Sequence, residues 1–127
     1  MTEADLLSTW IGRSVRVVID RPLGSQHPQH GFTYPVNYGY VPGVPAPDGD
    51  DLDAYILGVD HPLHEFVGVC IAVIHRLNDM DDKLVLAKEG QNFSDEEILT
   101  LTAFQEQWFH GILLRNSSTI SANSVKE

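Results

Sequence analysis

The sequence predicts a mainly β fold: a small closed or nearly closed barrel with a short N-terminal helix and a C-terminal helix packed alongside. Three observations predict it. β-Branched and aromatic runs recur between Arg13 and Glu89. Proline, glycine and aspartate cut those runs to strand length. Helical spacing of apolar residues is confined to the two flanks. About five strands and one terminal helix suit a barrel, and the same periodicity also fits an α+β sandwich.

The elements follow in order. "TEADLLSTWIG" has an acidic first turn, apolar residues at Leu6, Leu7, Trp10 and Ile11, and a closing Gly12, so it reads as an amphipathic helix. "RSVRVVID" (Arg13 to Asp20) reads as a strand and "RPLGSQHPQHG" as loop. "FTYPVNYGYVPG" is aromatic and β-branched but broken by Pro35, Gly39 and Pro42, which predicts a bent or edge strand. "LDAYILGV" and "FVGVCIAVIHRL" are strands joined by "DHPLHE", and "KLVLAKE" is a short strand after the acidic turn "NDMDD". Ser94 and Glu97 form a capping-box pair. Ile98, Leu101, Phe104 or Gln105, and Trp108 then recur at helical spacing, with Gly111 as the expected end. Residues from about 115 are small and polar and read as a frayed tail.

The 127 residues predict a single domain spanning 1–127. A hydrophobic share of 43% is globular rather than disordered. No apolar run is long enough for a bilayer-spanning helix, and no basic-then-apolar leader opens the sequence, which predicts a cytoplasmic protein without membrane partners. The single cysteine, Cys70, sits in an apolar run and reads as a buried thiol. A formal net charge of −10 argues against nucleic acid as a partner, because such affinity comes from neutralising phosphates. It leaves room for a small phosphate compound held through divalent cations.

Two acidic clusters sit at strand boundaries: Asp48, Asp50, Asp51 and Asp53, then Asp79, Asp81 and Asp82, with Asp51 and Asp82 read as exposed members of their turns. Strand alternation places Asp53 with Tyr55 and Leu57 on one face. Carboxylates from a turn and the strand it feeds can converge, and hard oxygen ligands of this kind suit Mg²⁺, with Mn²⁺ as a substitute. The competing reading is a solvated turn, since Asp and Gly are favoured in turns for local reasons. An EF-hand fails, because Gly49 falls at the second loop position rather than the sixth and Val59 stands where the terminal Glu should be.

"YPVNYGYVPG", "DGDDLDAYILG" and "NDMDDKLVLA", in that order, resemble the Mg²⁺-dependent inorganic pyrophosphatases of family I. The resemblance covers roughly Val15 to Trp108 and implies a five-stranded OB-like barrel with a C-terminal helix. It also implies Asp48, Asp53, Asp79 and Asp81 as metal ligands and Asp50 as the group that helps deprotonate the attacking water. Lys83 matches a phosphate-binding lysine, and Tyr38 a tyrosine near the reacting phosphoryl group. Asp20 stands where the family has a glutamate that supports the metal site through water. Bacterial members often form oligomers, so a homo-oligomer is expected on the same ground.

Two departures accompany it. The family's phosphate-clamping lysine and arginine, between the first strand and the tyrosine motif, have no counterpart in "RPLGSQHPQHGFT", and a Tyr-Lys pair near the last helix is replaced by Trp108-Phe109. By position, Arg21 and Arg76 are the expected replacements in binding substrate, with His27 and His75 behind them. The expected function is Mg²⁺-dependent hydrolysis of inorganic pyrophosphate to two phosphates. The alternatives are hydrolysis of an organic diphosphate or phosphorylated metabolite, and a non-catalytic metal- or phosphate-binding module.

Overall fold

The computed structural model describes residues 2–46, 49–79 and 81–115. Asp48, the first acidic residue of the motif, lies outside the described residues, as does nearly all of the polar tail. The chain runs α1 (Glu3–Ser8), β1 (Ser14–Arg21), β2 (Asn37–Pro45), β3 (Asp51–Ile56), β4 (Glu65–Arg76), β5 (Lys83–Ala87), α2 (Asp95–Glu106) and β6 (Gly111–Leu114). The sheet order is β1-β2-β3-β5-β4, and β1 pairs again with β4 to close a five-stranded, OB-like barrel. Only the β3–β5 pair is parallel among the described pairings.

Alternation on these strands makes two apolar layers. Val17, Val41, Leu52, Ala54, Ile56, Val73, Leu84 and Leu86 come from every barrel strand and fill the interior. Tyr38, Tyr55, Leu57, Ile74 and Val85 lie on the outer face of β2–β5, where Ile98, Leu101 and Phe104 of α2 cover them. β3 and β5 are therefore buried on both sides. Cys70 is buried in the interior layer, and burial pushes its thiol up to about 11.

Both helices begin on capping boxes, Thr2 with Asp5 and Ser94 with Glu97. Gly12 follows α1 at φ +93°, the left-handed geometry that glycine supplies at a helix end.

Three sequence expectations are corrected and one is narrowed. "YPVNYGYVPG" is bent but not at an edge: β2 pairs with both β1 and β3, and its register slips between Tyr40 and Pro45. Pro42 is accommodated there because a bulge needs no continuous ladder. Gly39 is required by the β1 neighbour, since a Cβ at this position would run into the Val18 carbonyl oxygen. Gly111 does not close α2. The helix stops at Glu106, and Gly111 opens β6, which lies outside the barrel on β4 through the register Arg76↔Gly111 to Val73↔Leu114. Trp108 consequently sits past the helix and is 62% exposed, not on its buried stripe. Asp82, expected at the surface of its turn, is buried: it accepts the Arg76 backbone N–H at 2.8 Å and lies 3.0 Å from His75 Nδ1.

Candidate active site

Register across the outer face of the barrel builds the site. Arg21 pairs with Tyr38, Tyr38 with Tyr55, Asp53 with Lys83, and Lys83 with Ile74. Arg76 is two residues beyond Ile74, so alternation returns it to the same face. At the end of β1, Asp20 is the extra residue of a bulge between Ile19 and Arg21. A bulge sets two neighbouring side chains against one partner residue, which is how Asp20 and Arg21 both reach the same side. Asp20, Arg21, Tyr38, Asp53, Arg76 and Lys83 of this face line a cleft of about 930 Å³ at the edge of α2.

Lys83 forms the centre of the floor. It is fully buried, and its Nζ lies 2.7 Å from Asp53 Oδ2, 2.8 Å from Asp81 Oδ1 and 2.7 Å from the Tyr38 hydroxyl. Tyr38 accepts from Lys83 and donates to Asp53 Oδ2 at 2.8 Å. This is the diagonal cross-strand contact expected when Tyr38 stands opposite Tyr55, two residues from Asp53. Burial, then the Asp53 charge, push the Tyr38 phenol well above its ordinary value. It stays protonated at any working pH and remains a donor. Burial also raises the Asp20 carboxyl, with Arg21 opposing and Asp53 adding to the shift.

Arg76 is the second buried cation. Its Nε and Nη2 donate to the two oxygens of Glu106 at 3.0 and 2.7 Å, and Nη1 reaches Asp79 at 3.2 Å and Asp81 at 3.5 Å. The Phe109 ring caps the guanidinium carbon at 3.7 Å. Burial works against this charge, but the Glu106 hydrogen bonds and the nearby Tyr55 and Asp81 outweigh it, so the guanidinium holds its proton more tightly than usual. The Tyr55 hydroxyl donates to Glu106 Oε2 at 2.5 Å and accepts from Gln105 at 2.8 Å. Arg76, Tyr55 and Glu106 thus fasten the end of α2 to the floor.

The cleft therefore gathers Tyr38, Asp53, Asp81, Lys83, Arg21, Arg76 and Asp20 of the sequence candidates. Asp79 is not on the cleft wall; it bonds Arg76 and accepts the Asp81 backbone N–H at 3.1 Å. Asp50 is exposed in the turn before β3, and its carbonyl accepts the Ala46 N–H at 2.7 Å. His75 lies beside Asp82, away from the cleft lining. His27 lines the cleft, but its Nδ1 accepts the backbone N–H groups of Gln29 and His30, both at 3.1 Å.

Sequence reasoning missed Glu106 and Asn37. Glu106 looks like a solvent-facing helix end, and its partner Arg76 is 30 positions away. Asn37 is fully buried; its Oδ1 accepts from Leu23 and Leu63 at 2.9 and 3.0 Å, and its Nδ2 donates to the His61 carbonyl at 2.9 Å. It ties the loop after β1 to the β3–β4 connection. An asparagine inside the apolar "YPVNYGY" run was the available signal, because a buried amide must be bonded.

Donor chemistry bears on whether Mg²⁺ fits. Asp20, Asp53 and Asp81 present carboxylates to one cleft, the hard oxygen donors that Mg²⁺ takes together with water and phosphate. Among the described residues, no three or more of His, Cys, Asp and Glu stand at metal-ligand spacing. Lys83 occupies the space between Asp53 and Asp81. The donor types fit the ion.

Comparison with known proteins agrees with this architecture. The family model described as inorganic pyrophosphatase matches residues 14–112. An inorganic pyrophosphatase from Ehrlichia chaffeensis superposes with a TM-score of 0.64 at 16% identity, covering 85% of this chain and 88% of that one. An inorganic pyrophosphatase from Helicobacter pylori gives 0.63 at 20% identity, with 83% and 86% covered. One from Coxiella burnetii gives 0.63 at 17% identity, with 85% and 89% covered. No curated protein sequence matches the chain. With the barrel, the register-built cleft and the family match in hand, this chain belongs to the inorganic pyrophosphatase family.

Proposed function

We propose that the cleft hydrolyses inorganic pyrophosphate to two phosphates with Mg²⁺ as the cofactor, in the cytoplasm. The observation that carries this reading is the β3–β5 register, which sets Asp53 against Lys83 and brings Asp81 onto the same ammonium. Alternating carboxylates and cations on one wall suit a polyanion bound with divalent cations.

Asp53 and Asp81, with Asp48 and Asp79, would hold Mg²⁺, and Asp20 would support them from the bulge. The ion would supply positive charge for the phosphate oxygens and raise the acidity of water. The chain's own residues do the rest. Lys83 and Arg21 neutralise phosphate charge from the floor and the β1 side, and Arg76 does so from the α2 side. Tyr38, kept protonated by its buried position, gives its one proton to Asp53 and accepts from Lys83, so beside the reacting phosphoryl group it would act by holding those two side chains in place. Asp50 accepts the proton of the attacking water.

Phosphate release from pyrophosphate, measured with and without Mg²⁺, tests the reading. Wild-type release should require the ion, and Asp53→Asn should lower it at least about 100-fold. Mg²⁺-independent release, or an undiminished Asp53→Asn variant, would sink it.

A further inference from the structure

The rim of the cleft differs chemically from its floor. Phe32 stacks on Trp108 with centroids 5.9 Å apart and planes inclined by 24°. His27 and Tyr34 pack on the other sides of Phe32, at 4.8 and 5.6 Å. Tyr34 reaches Tyr38 at 5.5 Å, and Lys83 Nζ lies 5.3 Å from the Tyr38 ring. A row of four rings, Tyr38, Tyr34, Phe32 and Trp108, therefore links the buried ammonium to the mouth of the cleft.

His27 belongs to this wall as an aromatic ring and not as a phosphate-binding cation. Its Nδ1 lone pair is committed to two backbone N–H groups, so that nitrogen carries no proton. Burial, then His30 and Arg21, push the imidazole below its ordinary value, in the same direction.

The cleft volume of about 930 Å³ lies at the upper end of the range for pockets that enclose drug-sized organic ligands. Trp108 leaves 62% of its surface exposed at the mouth, beside the Phe32 ring that stacks on it. A flat heteroaromatic group stacks on such a face with little regard to its substituents.

We propose that this cleft takes an organic diphosphate, a nucleoside diphosphate, with the base against Trp108 and Phe32 and the diphosphate toward Arg21 and Lys83. The inference rests on the hydrolytic chemistry read for the same cleft and goes beyond inorganic pyrophosphate by adding an organic substrate class. The reaction balances as a hydrolysis. The water oxygen bonds to the terminal phosphorus, and the bond from that phosphorus to the bridging oxygen breaks. The nucleoside monophosphate leaves with the electron pair, and the proton of the water passes through a carboxylate to solvent.

Two non-hydrolysable ligands separate recognition from turnover: the α,β-methylene analogue of ADP, and methylenediphosphonate, which has the same bridge and no nucleoside. Calorimetric titration with Mg²⁺ present should show the nucleotide analogue binding about tenfold or more tighter than the bare diphosphonate. Trp108→Ala should remove most of that preference, and Trp108→Phe should retain part of it. Trp108 is mostly exposed, so neither change threatens the fold. Equal affinity for the two ligands, or a preference untouched by Trp108→Ala, overturns the proposal. Phosphate release run beside the titration keeps the two claims apart. Release from pyrophosphate with no nucleotide preference leaves the hydrolase reading standing and ends this one. A Trp108-dependent preference without release from any diphosphate upholds nucleotide recognition and ends the hydrolase reading.

Discussion

The two acidic turns look alike in sequence and are built differently. Where the first turn enters β3, Asp50 and Asp51 are exposed, and among the described aspartates of this cluster Asp53 alone lines the cleft. In the turn before β5, Asp82 is buried under the Arg76 backbone, and Asp79 and Asp81 both touch the Arg76 guanidinium. Like charges are crowded in both. Asp79, Asp81 and Asp82 all bond groups of Arg76, whereas in the first cluster Asp53 pairs with the buried Lys83 while Asp50 and Asp51 lie at the surface. A carboxylate bound to a buried cation helps hold the strands together, while a surface carboxylate can be changed at little cost to the fold.

Changes at Arg76 give the sharpest way to break that comparison. Arg76→Met removes a 3%-exposed cation and strands Glu106, whose side chain is 13% exposed. Breaking a buried ion pair from one side costs about 3 kcal/mol. Urea unfolding should show a loss of that order, and a loss below about 1 kcal/mol would mean that the second turn does not depend on its cation. Asp50→Asn tests the opposite arm. Unfolding free energy should stay within about 0.5 kcal/mol, while phosphate release from pyrophosphate should fall at least about 100-fold. Unchanged release would move the proton acceptor elsewhere, and Asp20 is the carboxyl in the cleft whose affinity for a proton is already raised.

The smaller effects come from Asp82 and Asp20. Asp82→Ala leaves the buried Arg76 N–H without its acceptor, which should cost about 2 kcal/mol in the same assay. Asp20 carries the reverse sign. Burial raises its native pKa above the unfolded value near 3.8, so its ionised form opposes folding at neutral pH. That penalty is complete above the raised native value and disappears as pH falls through it toward 3.8. Asp20→Asn should therefore raise the urea midpoint at pH 7, with the gain vanishing in acid. A gain that persists below pH 3.8 would assign the effect to something other than its charge.

How far the sequence reaches follows from whether a feature is local. The Ser94–Glu97 box lies within one turn of helix, so it is legible, and so is the alternation that places Asp53 with Tyr55 and Leu57. The Asp53–Lys83 contact is not, because it needs the parallel β3–β5 register. β6 has no local signal, because its four residues follow the glycine expected to end the helix, and only their pairing with β4 makes them a strand. Asp82 is indistinguishable from Asp81 until β4 supplies the N–H above it. The bulge that turns Asp20 into the cleft depends on β2, which no local pattern on β1 announces.

Asp51 provides the smallest effect and the cleanest control. It neighbours Asp50 in sequence, carries the same charge and is exposed at the start of β3. If crowding alone made these aspartates matter, Asp51→Ala should stabilise the fold noticeably by relieving repulsion. Exposed charges in water interact weakly, and surface substitutions usually move stability by no more than about 0.5 kcal/mol. Asp51→Ala should therefore leave both the urea midpoint and phosphate release where they are. A large loss of release with stability intact would show that the first turn works as a set of carboxylates, and that Asp50 cannot be singled out as the proton acceptor.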